Sequence, residues 1–204
     1  MAKAEDKTVT IQAIKLETVK VPIIGLSPLI VHNWSVKAKR QMLEKQMGKN
    51  APKAKKEPKD PEADYKSSLY LTSDGKAGFP ASAFKAAIVG ACRLFDGLPM
   101  TLAKTAIRVN GDVLPIEGKH RMREDMVRLD KGVADLRYRA EFPTWSVTLS
   151  ITYASNILKT EDILSLVNAA GMGGVGEWRP SAPKVASGTY GTFQVDTSKK
   201  IEVT

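Results

Sequence analysis

The stretch from Trp145 to Val195 constrains the fold of this chain more than any other. WSVTLSITYA places Trp145, Val147, Leu149, Ile151 and Tyr153 at every second position, with mostly small polar residues between them. A period of two puts all five on one side of an extended chain. KTEDILSLVNAAG then switches to helical spacing, with Thr160 as N-cap and the acidic Glu161 and Asp162 in the first turn. The glycine-rich run GMGGVGEWRPSAPKVASGTYGTFQV, Gly171 to Val195, leads back into a strand. Strand, helix, glycine loop and strand in succession predict a helix packed on one face of a sheet.

The rest of the chain repeats that alternation. TVTIQAIKLETVKVPIIGLSPLIVHNW reads as one or two strands, with Pro22 and Pro28 at edges, bends or ends. VKAKRQMLEKQMG brings Val36, Met42, Leu43 and Met47 close to helical spacing, carries Lys37, Lys39, Arg40 and Lys45 elsewhere, and stops at Gly48. SLYLT, the Asp74-Gly75 turn and AGFP read as strand, turn and short return. ASAFKAAIVGACRLF reads as a helix that buries Phe84, Ile88, Ala91, Cys92 and Phe95. IRVNGDVLPI predicts a hairpin around Asn-Gly. In ADLRYRAEF, Leu136, Tyr138 and Ala140 alternate with Arg137, Arg139 and Glu141.

This order predicts a single α+β domain over residues 1–204, with a ferredoxin-like βαββαβ core. Two segments interrupt it. The Lys- and Pro-rich stretch 49–66 has no apolar periodicity and is expected to be a flexible basic insertion, either an arm that touches polyanion or a solvated linker. The charged stretch 118–133 is expected to project as a finger-like hairpin.

Lys plus Arg number 31 against 22 Asp plus Glu, a formal charge of +9. A polyanion is the expected partner, because clustered cations displace counterions from phosphates. The single cysteine, Cys92, excludes an internal disulfide and a cysteine zinc cluster. No apolar run approaches a membrane span, and MAKAEDKTVT lacks the apolar core of a secretory signal, so the expected setting is cytoplasmic. There is no Walker loop, zinc helix or nucleophile elbow. GMGGVGEW follows a helix and not a strand, which argues against a dinucleotide site. No cofactor and no metal are expected.

Three stretches, in this order, resemble the RAMP proteins of CRISPR effector complexes. SPLIVHNWS, Ser27 to Ser35, is similar to the family's Ser/Thr-Pro-Leu segment. FPASAFKAAIVGACR, Phe79 to Arg93, resembles its proline-start helix, with Pro80, Ser82, Lys85 and Arg93 as matches and Ala86 where glycine is usual. The loop from Gly171 resembles its C-terminal glycine-rich loop, lengthened here by EWRPSAPKVAS. The acidic residue that cleaves RNA in some family members has no match. The resemblance implies a ferredoxin-like fold and a binder of single-stranded nucleic acid, often as a string of identical subunits.

The residues fit that role independently. A groove for single strands needs cations or backbone amides for phosphates and flat side chains for bases. Trp178, Arg179, Lys184 and Tyr190 lie among glycines in a loop that either clamps a strand or packs with Trp178 inward. Trp34 either stacks on a base or covers the core. Lys37, Lys39, Arg40, Lys85, Arg93, Arg121 and Arg123 are further candidate phosphate contacts. Arg137 and Arg139 share one strand face, paired with acids or directed at phosphates. The expected function is non-catalytic binding of single-stranded RNA or DNA by a homo-oligomeric ring or filament. One rival is a metal-independent endoribonuclease using His32 or His120. The other is a self-assembling viral structural protein.

Overall fold

The computed structural model describes residues 13–48, 58–128, 134–183 and 187–204. The chain runs through β1 (Leu16–Gly25), β2 (Leu29–Val31), α1 (Val36–Gln46), α2 (Pro61–Ser67), β3 (Tyr70–Leu71), β4 (Ala77–Pro80), α3 (Ala81–Ala91) and α4 (Met100–Ala106). It continues with β5 (Ile107–Val109), β6 (Val113–Pro115), β7 (Arg121–Arg128), β8 (Ala134–Phe142), β9 (Ser146–Ala154), α5 (Thr160–Gly173), β10 (Phe193–Val195) and β11 (Glu202–Val203).

The central sheet has the order β10-β1-β9-β5, all antiparallel, with β11 added to β1. Helix α3 lies on the path from β1 to β5, and α5 joins β9 to β10. These six elements are the expected βαββαβ core, its strands in the order fourth, first, third, second. The period-two residues explain the layering. Val19, Val21 and Ile23 of β1 and Val147, Leu149, Ile151 and Tyr153 of β9 are fully or almost fully buried, together with Phe84 and Ile88 of α3 and Ile163, Leu166 and Val167 of α5. Burying such a side chain contributes about 1.5–3 kcal/mol.

The remaining elements are insertions into this core. They form two small sheets, β2-β8-β7 and β3-β4-β6. The Asn110-Gly111 segment does not close a hairpin. β5 pairs with β9 and β6 with β4. The Asn110 N–H donates to Ser150 O and its side-chain amide to Ser150 and Thr152, which extends the pairing with β9 and sends the next strand elsewhere.

Part of the stretch expected to be a flexible insertion is a helix. Residues 61–67 form α2, with Pro61 at its first position and the Asp60 carboxylate accepting from the N–H groups of Glu62 and Ala63. Residues 49–57 lie outside the described residues. The charged stretch expected to be a finger supplies β7, which pairs with β8 along all eight of its residues; 129–133 lie outside the described residues. Phe95, expected in the core, is 39% exposed beyond the end of α3. Thr160 is the first helical residue and not the cap; the Asp162 carboxylate accepts from the Lys159 N–H instead. On α1, Val36, Met42, Leu43 and Met47 are exposed.

The glycine-rich loop lies against backbone. A Cβ on Gly171 would sit 1.7 Å from Phe193 O, and one on Gly191 would sit 1.8 Å from Val175 O. Gly191 also has a φ of +68°, a conformation open to glycine without strain. These contacts seat the loop between α5 and β10.

Candidate nucleic-acid interface

Residues of one parity on β7 and β8 share a sheet face. Register sets Arg121 opposite Glu141, Arg123 opposite Arg139 and Asp125 opposite Arg137. The centre of this face, Asp125, Arg139 and Glu141, is buried in spite of its charge, and ion pairs hold it. Arg139 is 1% exposed and donates to Asp125 Oδ2 at 2.9 Å and Glu177 Oε2 at 3.0 Å. Arg123 donates to Asp125 Oδ1 and to Glu141 Oε1, each at 2.8 Å, and Arg121 donates to Glu141 Oε2 at 2.8 Å. His32 Nδ1 lies 3.7 Å from Glu177 Oε1.

The glycine-rich loop covers this face with two aromatic rings. The Arg139 guanidinium carbon lies 4.7 Å from the Trp178 ring centre, and that of Arg123 lies 4.8 Å from Tyr190 and 5.5 Å from Trp178. Arg123 also donates to the Tyr190 hydroxyl. Each such stack contributes about 0.5–2 kcal/mol. Trp178 reaches its place through a φ of +52°. The loop's aromatics therefore rest on the domain's own arginines, and Arg139, one of the expected phosphate contacts, is sequestered by two carboxylates.

The electrostatics follow from this packing. The His32 imidazole holds the Glu177 carboxyl below its ordinary value, with Arg139 and Arg137 acting in the same direction against burial. Burial raises the Glu141 carboxyl, but hydrogen bonds from Arg121 and Arg123 outweigh it and leave the group lowered. Burial pushes the Arg139 guanidinium down, opposed by Asp125 and Glu177.

Two open basins flank this cluster and meet at His32. The first, about 630 Å³, lies between α3, the end of α5 and the start of the glycine loop. Its lining includes Tyr70, Ala83, Arg93, Gly174, Glu177 and Arg179. The second, about 540 Å³, is lined by Trp34, Lys59, Asp64, Arg137, Tyr138 and Arg139 among others. Trp34 is 54% exposed. The buried Nε of Arg139 has no hydrogen-bond partner among the described residues. Lys59 pairs with Asp135 and also donates to Leu136 O. Arg93 contacts Met100 Sδ, and Arg179 donates to Gly176 O; neither meets a carboxylate among the described residues.

Of the candidates read from sequence, the structure brings Arg93 and Arg179 to the first basin and Trp34, Arg137 and Arg139 to the second. Arg121 and Arg123 belong to the charged face, and Trp178 and Tyr190 to the loop that covers it. Lys39 and Arg40 are exposed on α1, where Arg40 pairs with Glu44. Lys85 projects from the flank of α3 opposite Ala83, Ala86, Ala87 and Gly90, at about 100° per residue. Lys184 and the side chain of Lys37 lie outside the described residues. His120 is held by the Tyr65 hydroxyl at 2.6 Å and packs its ring on Phe142, on the other face of the sheet from Glu141. The two histidines are not brought together.

Sequence reasoning missed Tyr70, Lys59 and Glu177. Tyr70 enters because its hydroxyl donates to His32 O. The open face of the central sheet takes no part. It presents Thr18, Lys20, Thr148, Ser150 and Thr152, with Thr18 and Thr152 hydroxyls 2.8 Å apart, and no aromatic side chain among the described strand residues. Among the described residues no group of three or more His, Cys, Asp or Glu is placed to hold a metal ion, and no helix is long and apolar enough to cross a membrane.

No protein-family model matches this chain, and no curated protein matches it. Solved structures do. The cryo-EM structure of the Type III-B Cmr-beta bound to cognate target RNA contains a chain that aligns with a TM-score of 0.52 at 12% identity. The match covers 93% of this chain and 61% of that one, so this chain spans less than two thirds of its length. Cmr6 from Pyrococcus furiosus aligns with a TM-score of 0.48 at 13% identity, covering 90% of this chain and 100% of that one. The likeness to the first is one of fold: this chain shares the α+β, ferredoxin-like architecture of the chain it aligns with.

Proposed function

We propose that this domain binds single-stranded RNA without cleaving it, and that the strand runs through the two basins that meet at His32. The observation that carries this reading is the convergence on two adjoining basins of Arg93 and Arg179, neither of which meets a carboxylate among the described residues, with the exposed indole of Trp34 and the ring of Tyr70. Cations for phosphates and flat rings for bases are what sequence-independent binding of a single strand requires. RNA is the favoured strand because the fold likeness is to an assembly solved on target RNA. Among the described residues the open sheet face presents none of the aromatics that stack bases in sheet-surface RNA binders, which favours the groove.

The non-catalytic part of the reading rests on the histidines. Metal-independent cleavage needs an acid and a base at one phosphate. His32 and His120 stand on separate faces, and Glu177, beside His32, is tied to Arg139. Several copies on one strand are part of the proposal, with the exposed apolar residues of α1 as contact surface.

Binding of labelled single-stranded RNA across a salt series tests the reading. The logarithm of affinity is expected to fall linearly with the logarithm of salt, by about 0.7 for each phosphate contacted. Single-stranded DNA is expected to bind more weakly and duplex RNA least. Absence of RNA binding at low salt contradicts the proposal.

A further inference from the structure

Gly90 stands inside α3, and a Cβ added to it would meet nothing within 4 Å. Glycine weakens a helix relative to alanine. Here neither packing nor a positive φ requires it. Its effect is to keep open one wall of the cleft of about 630 Å³, beside Ala83, Ala86 and Ala87 on the same flank of the helix. Ala170, Gly173, Gly174 and Val175 line the cleft from α5 and the start of the loop. Both walls are thus low and apolar, a shape that admits a flat ring between them. Charged groups line the same cleft: Arg93 and Arg179, neither paired with a carboxylate among the described residues, and Glu177, whose Oε2 is taken by Arg139 while Oε1 has His32 at 3.7 Å.

We propose that this cleft receives one base of the bound strand, turned out of the stack. The phosphates on either side of that nucleotide lie on Arg93 and Arg179, and an N–H edge of the base faces Glu177. The inference rests on the single-strand RNA reading and adds to it a discrete nucleotide pocket. Apolar walls supply affinity for any base, and the carboxylate supplies an acceptor for one edge.

The test uses Gly90→Leu, whose Cβ would meet no protein atom within 4 Å and whose longer side chain is chosen to fill the cleft, and Gly90→Ala as a milder filling; Gly90→Ala is expected to melt no lower than the parent. Each is titrated with single-stranded RNA and with an abasic ribose-phosphate strand of the same length. The parent is expected to prefer RNA over the abasic strand by about tenfold. Gly90→Leu is expected to lose the part of that preference supplied by the cleft, keeping the part supplied by Trp34 and Tyr70, while binding the abasic strand as the parent does. Unchanged RNA preference in Gly90→Leu overturns the pocket and leaves the RNA reading standing. Gly90-dependent binding of free nucleoside monophosphate, with RNA binding unaffected, also overturns it. A parent that binds neither strand overturns the RNA reading itself.

Discussion

Replacing Asp125 with alanine is expected to destabilise the domain by about 3–5 kcal/mol, the cost of removing one partner from a buried ion pair. Asp125 is 7% exposed and accepts from both Arg139 and Arg123. Its loss leaves the Arg139 guanidinium in the interior with Glu177 as its one carboxylate. A charge kept from water without a full set of partners is more costly than the pair itself is stabilising. In a domain of this size the melting temperature should fall by roughly 10 °C. Glu124, the exposed neighbour on the other face of β7, serves as the control, and Glu124→Ala should change stability by no more than about 0.5 kcal/mol. Thermal or denaturant unfolding reads both.

The same network gives stability a pH dependence of definite sign. Glu141 and Glu177 titrate below the ordinary glutamate value of 4.5 in the folded domain. A carboxylate whose folded pKa is depressed stabilises the fold at pH above its unfolded value, and that contribution erodes as pH falls toward the folded one. Unfolding measured from neutral pH down through the glutamate range should show a progressive loss of stability. Glu177→Gln should flatten part of that slope.

The largest expected effect on binding comes from Arg93→Ala combined with Arg179→Ala. These two arginines share a basin and meet no carboxylate among the described residues, which leaves their charge to phosphate. Removing both should lower the salt slope by about 1.4 and weaken binding at low salt by about 2 kcal/mol, roughly thirtyfold. Lys85→Ala, on the opposite flank of α3, should leave the slope unchanged. Equal losses in the two variants would mean that the strand follows net charge and not the groove.

Much of the core was legible because its period-two strands and apolar helices each bury one face. β9, α5 and the buried stripe of α3 stand where alternation and helical spacing placed them. The Asn110-Gly111 turn misled because a local hairpin signal cannot register that β9 offers Ile107 and Val109 a better edge. Helix α2 was hidden by composition: the lysines and prolines around it outweighed the Asp60-Pro61 start that marks it. The charged face of β7 and β8 was opaque for a different reason. Hydrophobic patterning assumes that buried means apolar, and here arginines and acids bury one another beneath Trp178 and Tyr190, remote in sequence. Gly90 did carry a signal, a helix-interior glycine without a local purpose, which went unread.

Photocrosslinking of 4-thiouridine-substituted RNA, with the adducts mapped by mass spectrometry, tests the path of the strand most directly. Adducts are expected on the segments bearing His32 to Trp34, Tyr70 and Gly174 to Arg179, which line the two basins. Adducts confined to Thr148, Ser150 and Thr152, on the open face of the central sheet, would contradict the account.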